Sequence, residues 1–506
     1  MSPTRAGPDA DGLAAARRHA GRARHPKGTL AATILGSSLA FIDGSVVNVA
    51  LPAIERDLAS SGASGASIGW LINAYLLPLG ALVLAGGVAG DRYGRKRMFL
   101  AGIAVFTLAS LACALAPGFG WLLAARALQG VGAALLVPAS LALLGAAFEG
   151  EARGSAVGTW AAASAVAGAL GPVAGGWLVD AVGWRAIFII NLPVAAVAAW
   201  LSWRNIEESR SADPAPLDLA GAALATVGLG LATFGLTALA AGGADAPGHG
   251  GALAGGYALA AGVASLVAFV IVEARLGRNA MMPLALFGTR AFVGVTLLTL
   301  GLYAALSGMV VLLPYLLIAR AGWPATAAGA ALLPLSIAMG LGSRAAGRLA
   351  ERVGTRTLLT LGPLVVAAGF ALFLRIDGGA VRYATDILPA LALVACGLTL
   401  SVAPLTAAVI AAVDPSHVGS ASGFNNATSR VAGLLATALI GYVLVGDATG
   451  PAFIGRFHGA AIAGALLAVG AAASAFLLCA PRPSGSRDPR APAPPAAPSD
   501  RGHRRS

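Results

Sequence analysis

The sequence predicts an all-α polytopic membrane protein of fourteen spans, arranged as two related six-helix halves. Three observations carry this. Only 11% of the 506 residues are charged while 57% are hydrophobic, against the roughly one quarter charged of a soluble domain. Uncharged stretches recur at the length of about 20 residues that a helix needs to cross the hydrocarbon core. The second half of the chain also repeats motifs of the first. Because the apolar runs are continuous rather than alternating, a closed β-barrel is excluded.

Spans are expected near 29–52, 69–90, 98–117, 121–148, 155–179 and 186–203, then 217–240 and 252–273, then 291–318, 325–347, 357–375, 386–412, 418–446 and 457–480. Of the 34 basic residues, 26 fall in segments that share one side if the N-terminus is cytoplasmic, as the positive-inside bias requires. An even span count then places both ends of the chain inside. The first 28 residues are expected to be a basic cytoplasmic segment rather than a cleavable signal, because the apolar run behind them is too long. The tail 481–506, rich in Pro, Ala, Ser and Arg, is expected to be disordered and cytoplasmic. Three cysteines inside apolar runs, Cys113, Cys396 and Cys479, offer neither a disulfide framework nor a zinc spacing. With 32 arginines against two lysines, the composition points to a bacterial source, hence to the cytoplasmic membrane.

The chain matches itself at an offset of about 260 residues. The loop after span 2 reads Gly87-Val88-Ala89-Gly90-Asp91-Arg92-Tyr93-Gly94-Arg95-Lys96, and the loop after span 10 reads Gly347-Arg348-Leu349-Ala350-Glu351-Arg352-Val353-Gly354-Thr355-Arg356. Span 5 opens Gly154-Ser155 and span 13 opens Gly419-Ser420, with Val166-Ala167-Gly168 facing Val431-Ala432-Gly433 and Pro138 matching Pro404. The divisions that follow are 29–203 and 291–480 as the two halves, with 204–290 a linker that contributes two extra spans. Parallel repeats around a midplane site are the plan of an alternating-access carrier.

The residues Asp91-Arg92-Tyr93-Gly94-Arg95-Lys96 with Gly87, then Arg126, Gln129, Gly130 and Gly132 in span 4, then Gly168, Gly171, Pro172, Gly175 and Gly176 in span 5, come in the order of three motifs. Asp43 to Pro52 in span 1 and Trp184 to Pro193 at span 6 add two more. Together they resemble a major facilitator superfamily transporter of the 14-span drug:proton antiporter type, over residues 30–480. The resemblance implies the major facilitator fold, multidrug or antibiotic efflux, proton coupling and the antiporter motif at Gly168–Gly176. It also implies a conformational gate at Gly87, Asp91, Arg92, Gly94 and Arg95, with Asp91 meeting the start of span 13. By the repeat, Glu351 and Arg352 would act likewise, Glu351 meeting the start of span 5. Acids suit those positions because a helix N-terminus is partially positive.

Read physically, Asp43 is the lone charge between Lys27 and Glu55, and an Asp near the bilayer centre costs about 2.5–3.5 kcal/mol on insertion scales. Two readings stand: a proton-coupling carboxylate, or a permanently ionised helix tie. Arg126 lies at a similar depth, roughly 8–14 Å below the outer boundary at about 1.5 Å per residue. It either pairs with Asp43 or bonds only helix-end carbonyls and Gln129. Arg430, mid-span 13, has no acid in its own half; it holds an anionic substrate group, pairs with Asp43 across the cavity, or packs. Relatives carry acids in later spans where this chain has Asn425-Asn426, which puts a second proton site and cationic substrates in doubt. The expected cavity wall is Asn48, Asn73, Tyr75, Gln129, Trp160, Tyr303, Tyr315, Asn425 and Arg430, with Trp70 near the outer boundary. His417 and His458 sit at span ends and take no proton role.

These residues point to proton-driven export of small amphipathic compounds by a monomer among membrane lipids. No cofactor, metal, nucleotide or nucleic acid is expected, since no phosphate-binding loop is present. A lipid or lipid-linked precursor flippase on the same scaffold is the alternative. An importing symporter would fit the fold but not the antiporter motif. An enzyme is not expected, for want of a His cluster, a paired-aspartate span or a nucleophile with its base.

Overall fold

In a computed structural model, fourteen helices among the described residues are long and apolar enough to cross a bilayer. The structure describes residues 25–211, 218–242, 249–277, 280, 282, 284–377, 381–414, 418–444 and 450–479. The first half comprises α1 (Pro26–Ser61), α2 (Trp70–Tyr93), α3 (Arg95–Ala114), α4 (Phe119–Ala147), α5 (Ala152–Ala181) and α6 (Ala186–Asn205). The inserted pair is α7 (Leu219–Ala240) and α8 (Leu253–Leu276). The second half is α9 (Arg290–Arg320), α10 (Ala325–Val353), α11 (Thr355–Arg375), α12 (Tyr383–Ala411), α13 (Ala421–Leu444) and α14 (Ala452–Leu478). Each expected span coincides with one helix. The tail 481–506, most of the basic N-terminal segment and His417 lie outside the described residues.

The same helix pairs touch in both halves: α1 with α5 and α9 with α13, α2 with α4 and α10 with α12, α3 with α4 and α11 with α12. The repeat is therefore structural. Lipid tails are as apolar as side chains, so helices associate through close packing of small residues. On α4, a Cβ added to Gly130 would stand 2.3 Å from the Tyr75 carbonyl oxygen of α2. In the second half, one on Gly397 of α12 would stand 2.4 Å from the Gly362 carbonyl oxygen of α11. The inserted pair packs on itself through Gly228, Gly235 and Gly262. Among the described residues it leans on the bundle chiefly by α7, which meets α2 and α13.

The first correction concerns the two motif loops, which are single residues. Tyr93 ends α2 and Arg95 begins α3, with Gly94 between them at φ +112°; Gly354 stands likewise between α10 and α11 at φ +90°. Only glycine takes such angles readily, because it lacks a Cβ. The turns share a backbone but not their surroundings. In the first half the segment after α6 folds over the turn. Glu208 accepts hydrogen bonds from the Lys96 and Arg97 amides at 3.0 and 3.2 Å, satisfying the free N–H groups that open α3. Arg95 N donates to Ser209 O, and Ser211 N to Asp91 O. In the second half Glu351, Arg352, Gly354 and Arg356 line an open cavity of about 1250 Å³.

The basic ends of the helices, marked by Arg92, Lys96, Arg97 and Arg352, are spread, and the opposite, far ends are closed. On the far side α5 meets α10: a Cβ on Gly176 would lie 2.3 Å from Ala325 O, and one on Gly329 would lie 2.1 Å from Pro172 O. Asp180 at the end of α5 accepts from Ala325 N (3.1 Å), Thr326 N (2.8 Å) and Thr326 Oγ1 (2.6 Å), capping α10 from the other half. Tyr315 of α9 donates to Glu55 of α1 at 2.8 Å, and Thr437 of α13 donates to Asn73 of α2. Toward the basic end, added Cβ atoms at Gly154, Gly158 and Gly347 would meet nothing within 4 Å. Along α5 and α10 there is thus open space toward the basic end, while Gly423 of α13 still meets Leu84 of α2.

Two outcomes follow from these contacts. Gly94→Ala meets both the unfavourable φ and the Glu208 carboxylate 2.7 Å away, and is expected to lower stability by about 2 kcal/mol. Gly354→Ala meets only the φ and is expected to lose about 1 kcal/mol. Thermal unfolding of the purified protein in detergent measures both, and equal losses would count against the Glu208 contact. Gly329→Val, in a cysteine-free background, is expected to prop the far ends apart. A cysteine placed at Thr437 would then become several-fold more reactive to an impermeant maleimide applied from the far side. Unchanged labelling would show that Gly329 does not hold the closure.

Candidate functional site

The acid of α1 lies inside the first half, with no exposed surface. Arg126 of α4, 1% exposed, donates from Nη1 to Asp43 Oδ2. The other carboxylate oxygen accepts from Gln129 Nε2 of α4 at 2.9 Å and from Asn191 Nδ2 of α6 at 3.2 Å. Asn191 also donates to Ser110 Oγ of α3 at 2.9 Å, and Ser110 donates to Phe188 O. Arg126 also donates from Nη1 to Gln129 Oε1 at 2.7 Å and from Nε to Leu71 O of α2 at 3.2 Å, and its guanidinium lies 4.4 Å from the centre of the Tyr75 ring. Two helices thus reach the carboxylate of α1 directly, and α2 and α3 join through Arg126 and Asn191.

Arg126 bonds Asp43 as well as a helix carbonyl and Gln129, so the alternative in which it bonds only the latter two does not hold. Arg430 does not pair with Asp43, whose two oxygens are already taken. Four residues expected in the cavity wall need correction. Gln129 and Tyr75, at 0% and 1% exposure, belong to the cage around the acid, because a buried ion pair needs every remaining polar contact satisfied. Tyr75 donates to Ala40 O at 3.0 Å. Asn73 and Tyr315 belong to the far-end closure, and Trp70 packs on Phe234 of α7, ring centres 6.2 Å apart. Asn48 is buried, and its Oδ1 has no hydrogen-bond partner among the described residues.

Of the other four expected wall residues, Arg430 reaches across to the opposite half. Trp160 of α5 donates to Ser37 Oγ at 2.9 Å and meets Phe41 edge-on, with ring centres 6.1 Å apart. The guanidinium of Arg430 on α13 lies 5.9 Å from the Phe41 ring centre, and Tyr303 of α9 is within electrostatic range of Arg430. Asn425 accepts from Thr299 of α9 at 2.7 Å.

Of the antiporter-motif residues, Gly171 and Gly175 press on α1 at Ser45 and Val46. Pro172 and Gly176 press on α10, and Gly168 faces open space. At the basic end Asp91 accepts from Arg95 Nε and Nη2 at 2.9 and 2.7 Å, Arg92 is exposed, and Gly87 packs on Pro138. Side chains at Gly419 and Ser420, the expected contact of Asp91, lie outside the described residues. Glu351 is exposed and does not meet the start of α5, in keeping with an open basic end.

Sequence reasoning missed Ser110, Asn191, Glu208 and Asp180 as working residues. Asn191 sat in a motif already noticed, and Asp180 was visible as an acid three residues ahead of Gly183. Ser110 left no signal.

A family model of the Major Facilitator Superfamily matches residues 33–437. Among curated relatives, the puromycin resistance protein pur8 of Streptomyces alboniger is 38% identical, over 81% of this chain and 80% of its own length. The cephamycin export protein CmcT of Amycolatopsis lactamdurans is 34% identical, over 84% and 87%. The methylenomycin A resistance protein of Streptomyces coelicolor is 33% identical, over 89% and 91%. The fold is that of a bacterial homologue of the human lysosomal transporter Spinster in an inward-facing, unoccupied conformation. The TM-score is 0.61 at 18% identity, covering 90% of this chain and 97% of that one. A D-xylose–proton symporter gives 0.61 at 14% identity, covering 87% and 96%. With fourteen spans in two repeated halves and this match across most of its length, the chain belongs to the Major Facilitator Superfamily and is a membrane transporter rather than an enzyme.

Proposed function

We propose that the protein exports small amphipathic compounds by proton-driven alternating access, with Asp43 as the proton-coupling carboxylate and Arg126 as its partner. The setting is a bacterial cytoplasmic membrane, the basic end and both termini in the cytoplasm, and the working unit one chain. The observation that carries the reading is the Asp43–Arg126 pair and its outlet. Ionised Asp43 holds Arg126, and Arg126 Nε in turn holds Leu71 O. Leu71 lies between Gly69 and Asn73, both of which touch Thr437 of the other half. A proton on Asp43 removes the charge that fixes Arg126, and the arginine's hold on α2 changes beside the far-end closure. Each buried partner left unmatched is costly, on the order of 3–5 kcal/mol, so the pair is a two-state element that protonation biases. One charge falling through 100 mV supplies about 2.3 kcal/mol, a useful drive for accumulation.

Export rather than import is supported by the three relatives named for antibiotic resistance or export, and by the glycine-proline packing of α5 on α1 and α10. A second reading, translocation of a lipid or lipid-linked precursor, is favoured by one observation. An almost wholly apolar groove of about 440 Å³ between α9, α13 and α14 is lined by Gly308, Leu439, Tyr442, Phe457 and Gly464.

Energised inside-out vesicles carrying a lumenal pH probe separate the readings. A panel of dyes and antibiotics is expected to drive proton release with the wild type and none with Asp43→Asn. Proton movement by no compound would transfer support to lipid translocation. Coupling that survives in Asp43→Asn would leave an antiporter and remove the role of Asp43.

A further inference from the structure

Arg430 is the second guanidinium near the bilayer centre, and its situation differs from that of Arg126. Tyr75 lies within electrostatic range of Asp43, Arg126 and Arg430 alike. Around that ring stand two cations and one carboxylate, and both oxygens of the carboxylate are occupied within the first half. Among the described residues no carboxylate pairs with Arg430. The remaining acids near the seams are engaged at the ends of the bundle: Asp180 with α10, Glu55 with Tyr315, Asp91 with Arg95. Arg430, half-buried where α13 faces α2, is therefore left without a carboxylate partner among the described residues.

The surroundings also describe the rest of a ligand. Gly80 of α2 admits α13 so closely that its added Cβ would lie 3.3 Å from Arg430 Cβ. From there the guanidinium reaches Phe41 at 5.9 Å, and Phe41 meets Trp160. A cation beside an aromatic wall, at the point where the halves separate, receives an acid group and an apolar body together.

We propose that Arg430 is the substrate-anion site, and that the transported compounds are amphipathic organic acids whose carboxylate, sulfonate or phosphate group pairs with its guanidinium. This deepens the export reading and rests on it for direction, but its test is binding alone and does not depend on proton coupling. The same chemistry would hold the headgroup of an anionic phospholipid, so the test includes one.

The purified full-length chain in nanodiscs of neutral phosphatidylcholine is titrated with a panel of aromatic acids, benzylpenicillin and fluorescein among them. Each acid is paired with its own methyl ester, and ethidium serves as a cationic comparator. At least one acid is expected to bind roughly tenfold or more tightly than its ester, as befits a charge-assisted contact. Arg430→Gln is expected to erase that preference, Arg430→Lys to keep part of it, and ethidium to bind no worse to Arg430→Gln. Should Arg430→Gln fail to fold, Asn426→Asp places a carboxylate one helical turn away, where it pairs with the arginine, and is expected to lower acid affinity by a similar factor. Adding phosphatidylglycerol assigns the source: Arg430-dependent displacement of every acid makes the lipid headgroup the anion. If no acid outbinds its ester, or if the preference survives in Arg430→Gln and Asn426→Asp, the proposal is overturned.

Discussion

One buried ion pair organises the first half of this molecule. Asp43 and Arg126 are each almost without exposed surface, and such a pair is tolerated only when its surplus donors and acceptors are met. That demand explains why Gln129 of α4 and Asn191 of α6 reach Asp43, while Ser110 of α3 and the Leu71 carbonyl of α2 hold their partners Asn191 and Arg126. The cage ties five helices of the first half together around one buried ion pair. Among the described residues the second half shows no counterpart ion pair: on α13 Asn425 accepts from Thr299 of its own half, and Arg430 approaches Phe41 of the first.

The two halves share a backbone plan while dividing the labour. Gly94 and Gly354 make the same turn, yet only the first is closed over by the segment that follows α6. The closure at the far ends is built differently again, from backbone-to-backbone contact at Gly176 and Gly329 and from the capping of α10 by Asp180. Contacts of that kind are short-range and all-or-none, which suits a seam that opens as a unit. If the cargo is a monoanion leaving as a proton enters, two charges move in the favourable direction, about 4.6 kcal/mol per 100 mV.

Much of this was legible in the sequence. Span positions followed from charge spacing, since a bilayer enforces helix length more strictly than a soluble core does. The repeat around Asp91 and Glu351 was visible because both turns require glycine in one register. The depth of Asp43 and Arg126 placed them within reach. The cage itself was not legible. Which face of a helix points inward cannot be read where all faces are apolar, so Gln129 and Tyr75 looked like cavity wall. Ser110 and Asn191 are small polar residues whose roles arise only from which helices meet. Glu208 lies outside the spans, where no periodicity marks it.

The inserted pair gives the two seams different flanks. Leu229 of α7 packs between Ala81 of α2 and Leu434 of α13, and Trp70 adds Phe234 of the same helix. The meeting line of α2 and α13 is thus boarded over from the lipid side. Where α5 meets α10, Trp177 of α5 stands 59% exposed, with no inserted helix upon it. A solute dissolved in the bilayer therefore meets a double wall on one side of the molecule and a single-layer hinge on the other. The fourteen-span plan breaks the lateral symmetry that twelve spans alone would have left.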